Sequence, residues 1–261
     1  MKTPKTIGII GGTGRMGQWF KDFFEKKGYE VLSASRKTTL SPQTLAEKCD
    51  VVIISVPIDV TVETIKKIGP FVRKDALLMD LTSLKKAPVE AMLKYSKAEV
   101  IGTHPLFGPG VESLNEQVIV ICPARGKNWL PWIKKIFSEA KLEITTPEEH
   151  DAIMAVVQAL PHFLLLAMGL TLAELPFANK AINHYATPTF QTIWERIKNL
   201  AKQNPKIYAS IQFENPFYQK EVFPLLCQSI HVLKNIIENQ DKKNFVEIFE
   251  KIFQLTKKLN D

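Results

Sequence analysis

Residues 7–20 read IGIIGGTGRMGQWF, and the reading of this stretch decides the fold. An apolar strand runs into G-x-G-x-x-G at Gly12, Gly14 and Gly17, with Arg15 and Met16 between the last two glycines, and a helical pattern follows. The first glycine permits a tight turn. The second lets a pyrophosphate approach the backbone, and the third allows helix and strand to pack closely, so that the diphosphate faces the helix N-terminus. Gly12, Gly14, Arg15, Met16 and Gly17 are therefore expected to hold a dinucleotide.

Outward from this stretch, short apolar runs at 5–10, 29–35, 51–56, 76–81, 99–102, 117–122 and 142–145 read as strands. Amphipathic segments separate most of them. In MGQWFKDFFEKKG, Phe20, Phe23 and Phe24 share one face and Gly28 is a stop. Apolar strands each followed by a helix predict a parallel sheet covered on both faces, an α/β Rossmann-type doubly wound domain over 1–147. Beyond it only helical patterns occur: 147–175 with a kink at Pro161, then 177–185, 188–203, 205–213, 216–239 and 241–259. The last carries Phe245, Ile248, Phe249, Ile252, Phe253 and Leu259 in one apolar stripe, which must be buried in its own domain or against a second subunit. An all-helical domain over 148–261 that binds substrate and pairs two chains into a homodimer is the expectation.

The end of the second strand bears on which dinucleotide binds. NAD sites usually carry an acidic residue there, about 20 residues past the glycines. This chain reads VLSASRKTT, with Ser35, Arg36 and Lys37 and no carboxylate. A hydroxyl and two cations suit a 2′-phosphate through charge-assisted hydrogen bonds, which predicts NADP over NAD; a solvated turn is the plainer reading. Val56 and Pro57 close the third strand, either beside the adenosine and ribose or simply as a strand ended by proline.

Composition narrows the function classes. The chain has 261 residues, 45% hydrophobic and 23% charged, and a net charge of +7 from lysines spread along it. No basic stripe, zinc spacing or aromatic RNA-binding motif accompanies that charge, so no nucleic-acid partner is expected; an anionic small molecule suits the same field. Cys49, Cys122 and Cys227 are odd in number and far apart, which points to reduced thiols and no metal site. The most apolar run, FLLLAMGLTLAEL at 163–175, reads as too short to cross a bilayer, and MKTPKTIGII lacks the features of a secretion signal, so a cytoplasmic location without membrane contact is expected.

One segment stands apart. IGTHPLFGPG, residues 101–110, sets His104 between a strand and a turn rich in proline and glycine, where a side chain can point into a ligand crevice. Taken with GGTGRMG, DVVIISVPIDVTVETI, LLMDLTSLKKAPVEAML and EEHDAIMAVVQALPHF in the same order and spacing, it resembles the prephenate dehydrogenase family of tyrosine biosynthesis. The resemblance covers about residues 5–175 and continues more faintly through ATPTFQTIWERIKNLAKQNPKIY. It implies oxidative decarboxylation of prephenate to 4-hydroxyphenylpyruvate, with hydride passing to NAD(P). Arogenate as substrate, and another NADP-dependent enzyme of the same two-domain plan, are the alternatives.

By the same resemblance His104 takes up the ring hydroxyl proton and Ser83 bonds both that histidine and the hydroxyl, although Ser83 also stands where a helix N-cap would. His162 matches a histidine near the substrate, and Gln158, four residues earlier on the same side, is a further contact. His150 and Asp151 open the same helix, where the carboxylate suits the positive end of the dipole, and both are read as structural. The family's carboxylate-binding arginine is replaced by Asn199, with Gln191 at a second arginine position. Arg196, one turn away, either substitutes or is an exposed helix residue. Gly110 stands where the family has an acid. With a strand from residue 5 and helices to 259, neither a fused chorismate mutase nor a regulatory domain is expected.

Overall fold

The structure, a computed structural model, describes residues 2–260, apart from the side chains at 179, 181, 183, 259 and 260. Strands β1 (Thr6–Ile10), β2 (Glu30–Ala34), β3 (Val51–Ile54), β4 (Leu77–Asp80), β5 (Glu99–Pro105), β6 (Val118–Arg125) and β7 (Lys141–Ile144) form one sheet in the order β2-β1-β3-β4-β5-β6-β7. Helices α1 (Arg15–Lys26), α2 (Pro42–Lys48), α3 (Ile58–Ile68), α4 (Lys86–Tyr95) and α5 (Leu130–Ile136) cover it. On one face Phe20 and Phe24 of α1 and Trp132 of α5 bury against Ile7, Ile9 and Ile53; on the other, Leu45, Ile65 and Met92 bury against Ile10, Val52 and Leu78. Alternate residues of each strand serve opposite faces, so strands covered on both sides are apolar throughout.

The sheet is not wholly parallel as expected. β6 runs antiparallel to β5, and β7 is parallel to β6. The connection 106–117 contains no helix to carry the chain back across the sheet, so the next strand returns beside the last. β5 also extends to Pro105, and His104 lies opposite Val120. The histidine is thus a strand residue, not a member of the turn.

The remaining elements are helical: α6 (Pro147–Met154), α7 (Leu160–Glu174), α8 (Ala178–His184), α9 (Pro188–Ala201), α10 (Pro205–Glu214), α11 (Phe223–Glu238) and α12 (Lys242–Asn260). A π turn over Ala155–Ala159 joins α6 to α7, and another over Tyr218–Val222 leads into α11. Each ends just before a proline, Pro161 or Pro224. Proline lacks the N–H and crowds the carbonyl four residues back, and a wider turn there relieves both. The chain therefore passes Pro161 as one helix of 28 residues, Pro147–Glu174, whose most apolar 18-residue stretch has a mean hydropathy of 2.0. By length and composition it suffices to cross a bilayer, contrary to the expectation drawn from 163–175 alone, because the π turn adds the residues before Pro161. Its N-terminal part is buried against the sheet domain through His150, Asp151 and Met154.

The α12 stripe is not buried within the chain. Phe245, Phe249, Ile252 and Phe253 are 40–62% exposed, and the Leu259 side chain lies outside the described residues.

Candidate active site

β1 to β5 run in one direction, so their carboxyl ends line one edge of the sheet. The chain departs from β1 to β2 on one side while β3 lies on the other, which opens a crevice at the end of β1. The glycine loop sits there. Its tight turn is made by Gly11, with φ +86° and its N–H donated to Ala34 O, one residue earlier than expected. Gly12 instead permits contact with β2, since a Cβ would lie 2.5 Å from Ser33 Oγ. At Gly17 a Cβ would lie 2.4 Å from Gly11 O. Gly14 has looser surroundings, its nearest atom being Gly11 O at 3.2 Å; it is exposed and forms the N-cap of α1 without a capping side chain. The first N–H groups of α1, at Arg15, Met16 and Gly17, thus lack a side-chain cap and suit an anion. A cradle that excludes side chains at three glycines and leaves a helix terminus uncapped fits a dinucleotide pyrophosphate.

At the end of β2, Ser35 Oγ accepts from Lys37 N and Thr38 Oγ1 accepts from Ser35 N, which folds the turn. Arg36 and Lys37 are exposed on it. Val56 is half-buried against the glycine loop, with Cγ1 3.1 Å from where a Gly11 Cβ would stand; Pro57 is exposed and starts α3.

His104 lies near the end of β5, three strands from β1, or about 14 Å at ~4.8 Å per strand. The turn after it is fixed to α1: Phe107 packs edge-on against Trp19 at 5.3 Å, and Trp19 Nε1 donates to Val111 O. His104 is 3% exposed, and its Nδ1 is 2.9 Å from Nε2 of His150. His150 Nδ1 is in turn 2.7 Å from Asp151 Oδ1. Burial, then the neighbouring His150 and Lys85, hold His104 well below the usual histidine value near 6.5. Burial also lowers His150, against the opposing pull of Asp151.

His150 and Asp151 thus face the sheet domain and not their own helix terminus, where Thr146 is the N-cap. Asp151 accepts from Lys85 N at 2.7 Å and Lys86 N at 3.0 Å, so it caps α4 from another element. Ser83 is therefore not the cap of α4: the N-cap position is Lys85, and Ser83 lies at a half-buried bend with no hydrogen bond to His104 among the described residues. Beneath this cluster a buried ion pair joins Lys85 Nζ to Asp80 at the end of β4, with Lys85 Nζ also donating to Thr103 O. Sequence reasoning missed Asp80 and Lys85 as a pair and His150 as a partner of His104. Asp80 and Lys85 stand five residues apart in DLTSLK, a spacing that neither strand nor helix periodicity pairs, and His104 and His150 lie 46 residues apart, beyond any spacing rule.

On the helical side, Gln158 lies in the π turn and His162 in the first turn of α7. Gln158 Oε1 and His162 Nδ1 are both buried without a partner among the described residues, and the His162 ring stands 4.6 Å from that of Tyr208 on α10. Burial lowers His162 as well. Arg196 is exposed on α9 with no ion pair among the described residues, as are Gln191 and Asn199 in exposure, and nothing brings it against His104. No cluster of three metal-binding side chains occurs among the described residues.

Comparison with known proteins follows the same two-part division. Residues 26–146 match the model of the prephenate dehydrogenase nucleotide-binding domain, and residues 146–251 that of the prephenate dehydrogenase dimerization domain. A probable arogenate/prephenate dehydrogenase of Methanocaldococcus jannaschii is 36% identical over 95% of this chain and 60% of its own length. A T-protein of Haemophilus influenzae is 32% identical over 94% of this chain and 66% of its own. The chain thus spans about two thirds or less of these curated relatives. Among solved structures, prephenate dehydrogenase of Aquifex aeolicus in complex with hydroxyphenyl propionate and NAD+ superposes with a TM-score of 0.74 at 19% identity, over 100% of this chain and 99% of that one, a likeness of fold. With both family models matched in order across nearly the whole chain, and with relatives above 30% identity, this chain belongs to the prephenate dehydrogenase family.

Proposed function

We propose that this chain catalyses oxidative decarboxylation of prephenate to 4-hydroxyphenylpyruvate with NADP as the preferred oxidant. The observation that carries the reading is His104: a buried histidine on the same sheet edge as the glycine loop, engaged through Nδ1 and leaving Nε2 for a substrate. A bound nicotinamide supplies the hydride acceptor. Gly12, Gly14 and Gly17 with the N–H groups of Arg15 and Met16 hold its diphosphate, Val56 and Pro57 flank the ribose, and Ser35, Arg36 and Lys37 take the 2′-phosphate. The exposed, cationic turn after β2 supports NADP over NAD.

The work of the protein is then orientation and one proton transfer. As hydride leaves the ring carbon that bears the hydroxyl, the hydroxyl proton passes to His104 Nε2. When the ring carboxylate departs as carbon dioxide, the proton returns to the new phenolic oxygen, and His104 ends neutral. Its lowered proton affinity keeps it free to accept at neutral pH. Ser83 lies in the segment following β4 and is assigned to the hydroxyl. Gln158 and His162 are assigned to the substrate's polar groups, because two orphaned buried atoms cost about 1–3 kcal/mol each until a partner arrives. Arg196 is assigned to the side-chain carboxylate, which requires it to turn inward from the surface.

We also propose a cytoplasmic homodimer formed by the helical domain. Its support is the exposed apolar face of α11 and α12, with Leu225, Ile237, Phe249 and Phe253 above half exposure.

The test is a two-by-two assay of purified protein with prephenate or arogenate against NADP or NAD, followed at the reduced-nicotinamide absorbance. Turnover highest with prephenate and NADP, lost by about 10²- to 10⁴-fold in His104→Asn, is expected. Turnover with none of the four pairs would overturn the assignment.

A further inference from the structure

The row of contacts behind His104 crosses from the sheet domain to the helical domain. Asp151 is 1% exposed and His150 is 1% exposed, so the contacts are closed to water. Both oxygens of Asp151 face backbone N–H donors, so its side chain acts as an acceptor. It accepts Lys85 N and His150 Nδ1 at Oδ1, and Lys86 N at Oδ2. His150 must then carry its proton on Nδ1, which leaves a lone pair on Nε2. That lone pair faces Nδ1 of His104 at 2.9 Å, so His104 carries its own proton on Nδ1. The free lone pair of His104 is thereby fixed on Nε2.

We infer that His150 and Asp151 are positioning residues, a two-residue relay from the helical domain that holds His104 in the one tautomer able to accept the substrate's hydroxyl proton. The inference rests on the proposed role of His104 as the base. The opposite tautomer would present an N–H to the substrate and could donate only. Asp151 is held rigidly because two consecutive N–H groups of the α4 terminus bind it, and Asn215 Nδ2 grips its backbone carbonyl at 2.8 Å. During proton uptake the positive charge on His104 is shared through Nδ1–H with His150 and, beyond it, the carboxylate; no proton need leave the row. The base stands on β5 and its relay on α6, so the site forms only when the two domains are docked.

The test combines spectra and kinetics on the full chain. With histidine labelled by ¹⁵N, long-range ¹H–¹⁵N correlation should show His104, assigned through its loss in His104→Asn, protonated at Nδ1. His150→Phe should shift it toward the Nε2–H form and lower kcat by about 10- to 100-fold with little change in either KM, as loss of an orienting partner does. His150→Gln, whose carbonyl can accept from Nδ1–H, should restore most of kcat. His104 found as the Nε2–H form in the unaltered protein, or full kcat in His150→Phe, would overturn the relay. The wild-type spectrum decides the tautomer without any substrate, so a failure of the relay is told apart from a failure of the proposed reaction, which shows as a protein inactive on prephenate.

Discussion

Replacing Lys85 by methionine removes the cation from a fully buried pair. Lys85 and Asp80 are both 0% exposed. Without the lysine, Asp80 retains only the N–H and hydroxyl of Thr82 on Oδ2, while Oδ1 already has no partner. Breaking a buried pair by removing one member costs about 3–5 kcal/mol, because the other charge stays in a dry site. Against a total stability of ~5–15 kcal/mol, this is a large share. At about 2–4 °C per kcal/mol it lowers Tm by roughly 6–20 °C. The exposed pair Lys21–Glu25 at 3.4 Å is the internal control, since Lys21→Met should change stability by ~1 kcal/mol or less. Lys85→Met with Asp80→Asn should recover much of the loss, because the charge left behind is gone. Urea unfolding followed by the fluorescence of the buried Trp129 and Trp132, with calorimetry for Tm, reads all three variants. A loss below about 1 kcal/mol in Lys85→Met would refute the reasoning, as it would show the site wet or able to rearrange.

Three other outcomes follow from the geometry. Gly17→Ala forces a Cβ to 2.4 Å from Gly11 O and should lower both Tm and cofactor affinity, whereas Gly14→Ala, with 3.2 Å to its nearest atom, should weaken cofactor binding with little loss of Tm; scanning fluorimetry and a cofactor titration separate them. Arg36→Ser should reduce kcat/KM for NADP by about 10- to 150-fold, the worth of one charge-assisted bond, and leave NAD unchanged; equal losses for both would exclude a 2′-phosphate contact. Burial holds His104 and His150 below their unfolded value, with Lys85, Asp80 and Asp151 as the charged groups facing them. The unfolded chain therefore binds protons near pH 6.5 that the folded chain refuses. Stability is complete above that pH and falls beneath it by up to ~1.4 kcal/mol per pH unit for each group until the folded value is reached. A Tm that does not drop as the buffer is taken from neutrality toward pH 5 would contradict this.

Much of the fold was legible because its signals are local. All seven strands appear close to where their apolar runs lie, and the helices from Pro147 onward follow their predicted spans within a few residues. The direction of β6 was not legible, since it depends on what the 106–117 connection lacks and on which edge remains open. The π turns were not legible either: Pro161 signals a disturbance, but whether a helix kinks or widens depends on what packs around it. In the site, Gly17 packs against the Gly11 carbonyl too closely for a side chain, yet the left-handed turn belongs to Gly11, one position ahead of the fingerprint.

By itself the sequence determined the elements, the two-part organisation and the presence of a histidine near the end of a strand, because periodicity, glycine content and motif order act over neighbouring residues. Only the tertiary structure decided what that histidine touches. Hydrogen bonds form between side chains that meet in space, and His104 meets His150 because α6 docks across α4 and β6. The same docking turned Asp151 from its own helix to the terminus of α4, where two N–H groups and an imidazole needed an acceptor and no residue of that segment supplied one.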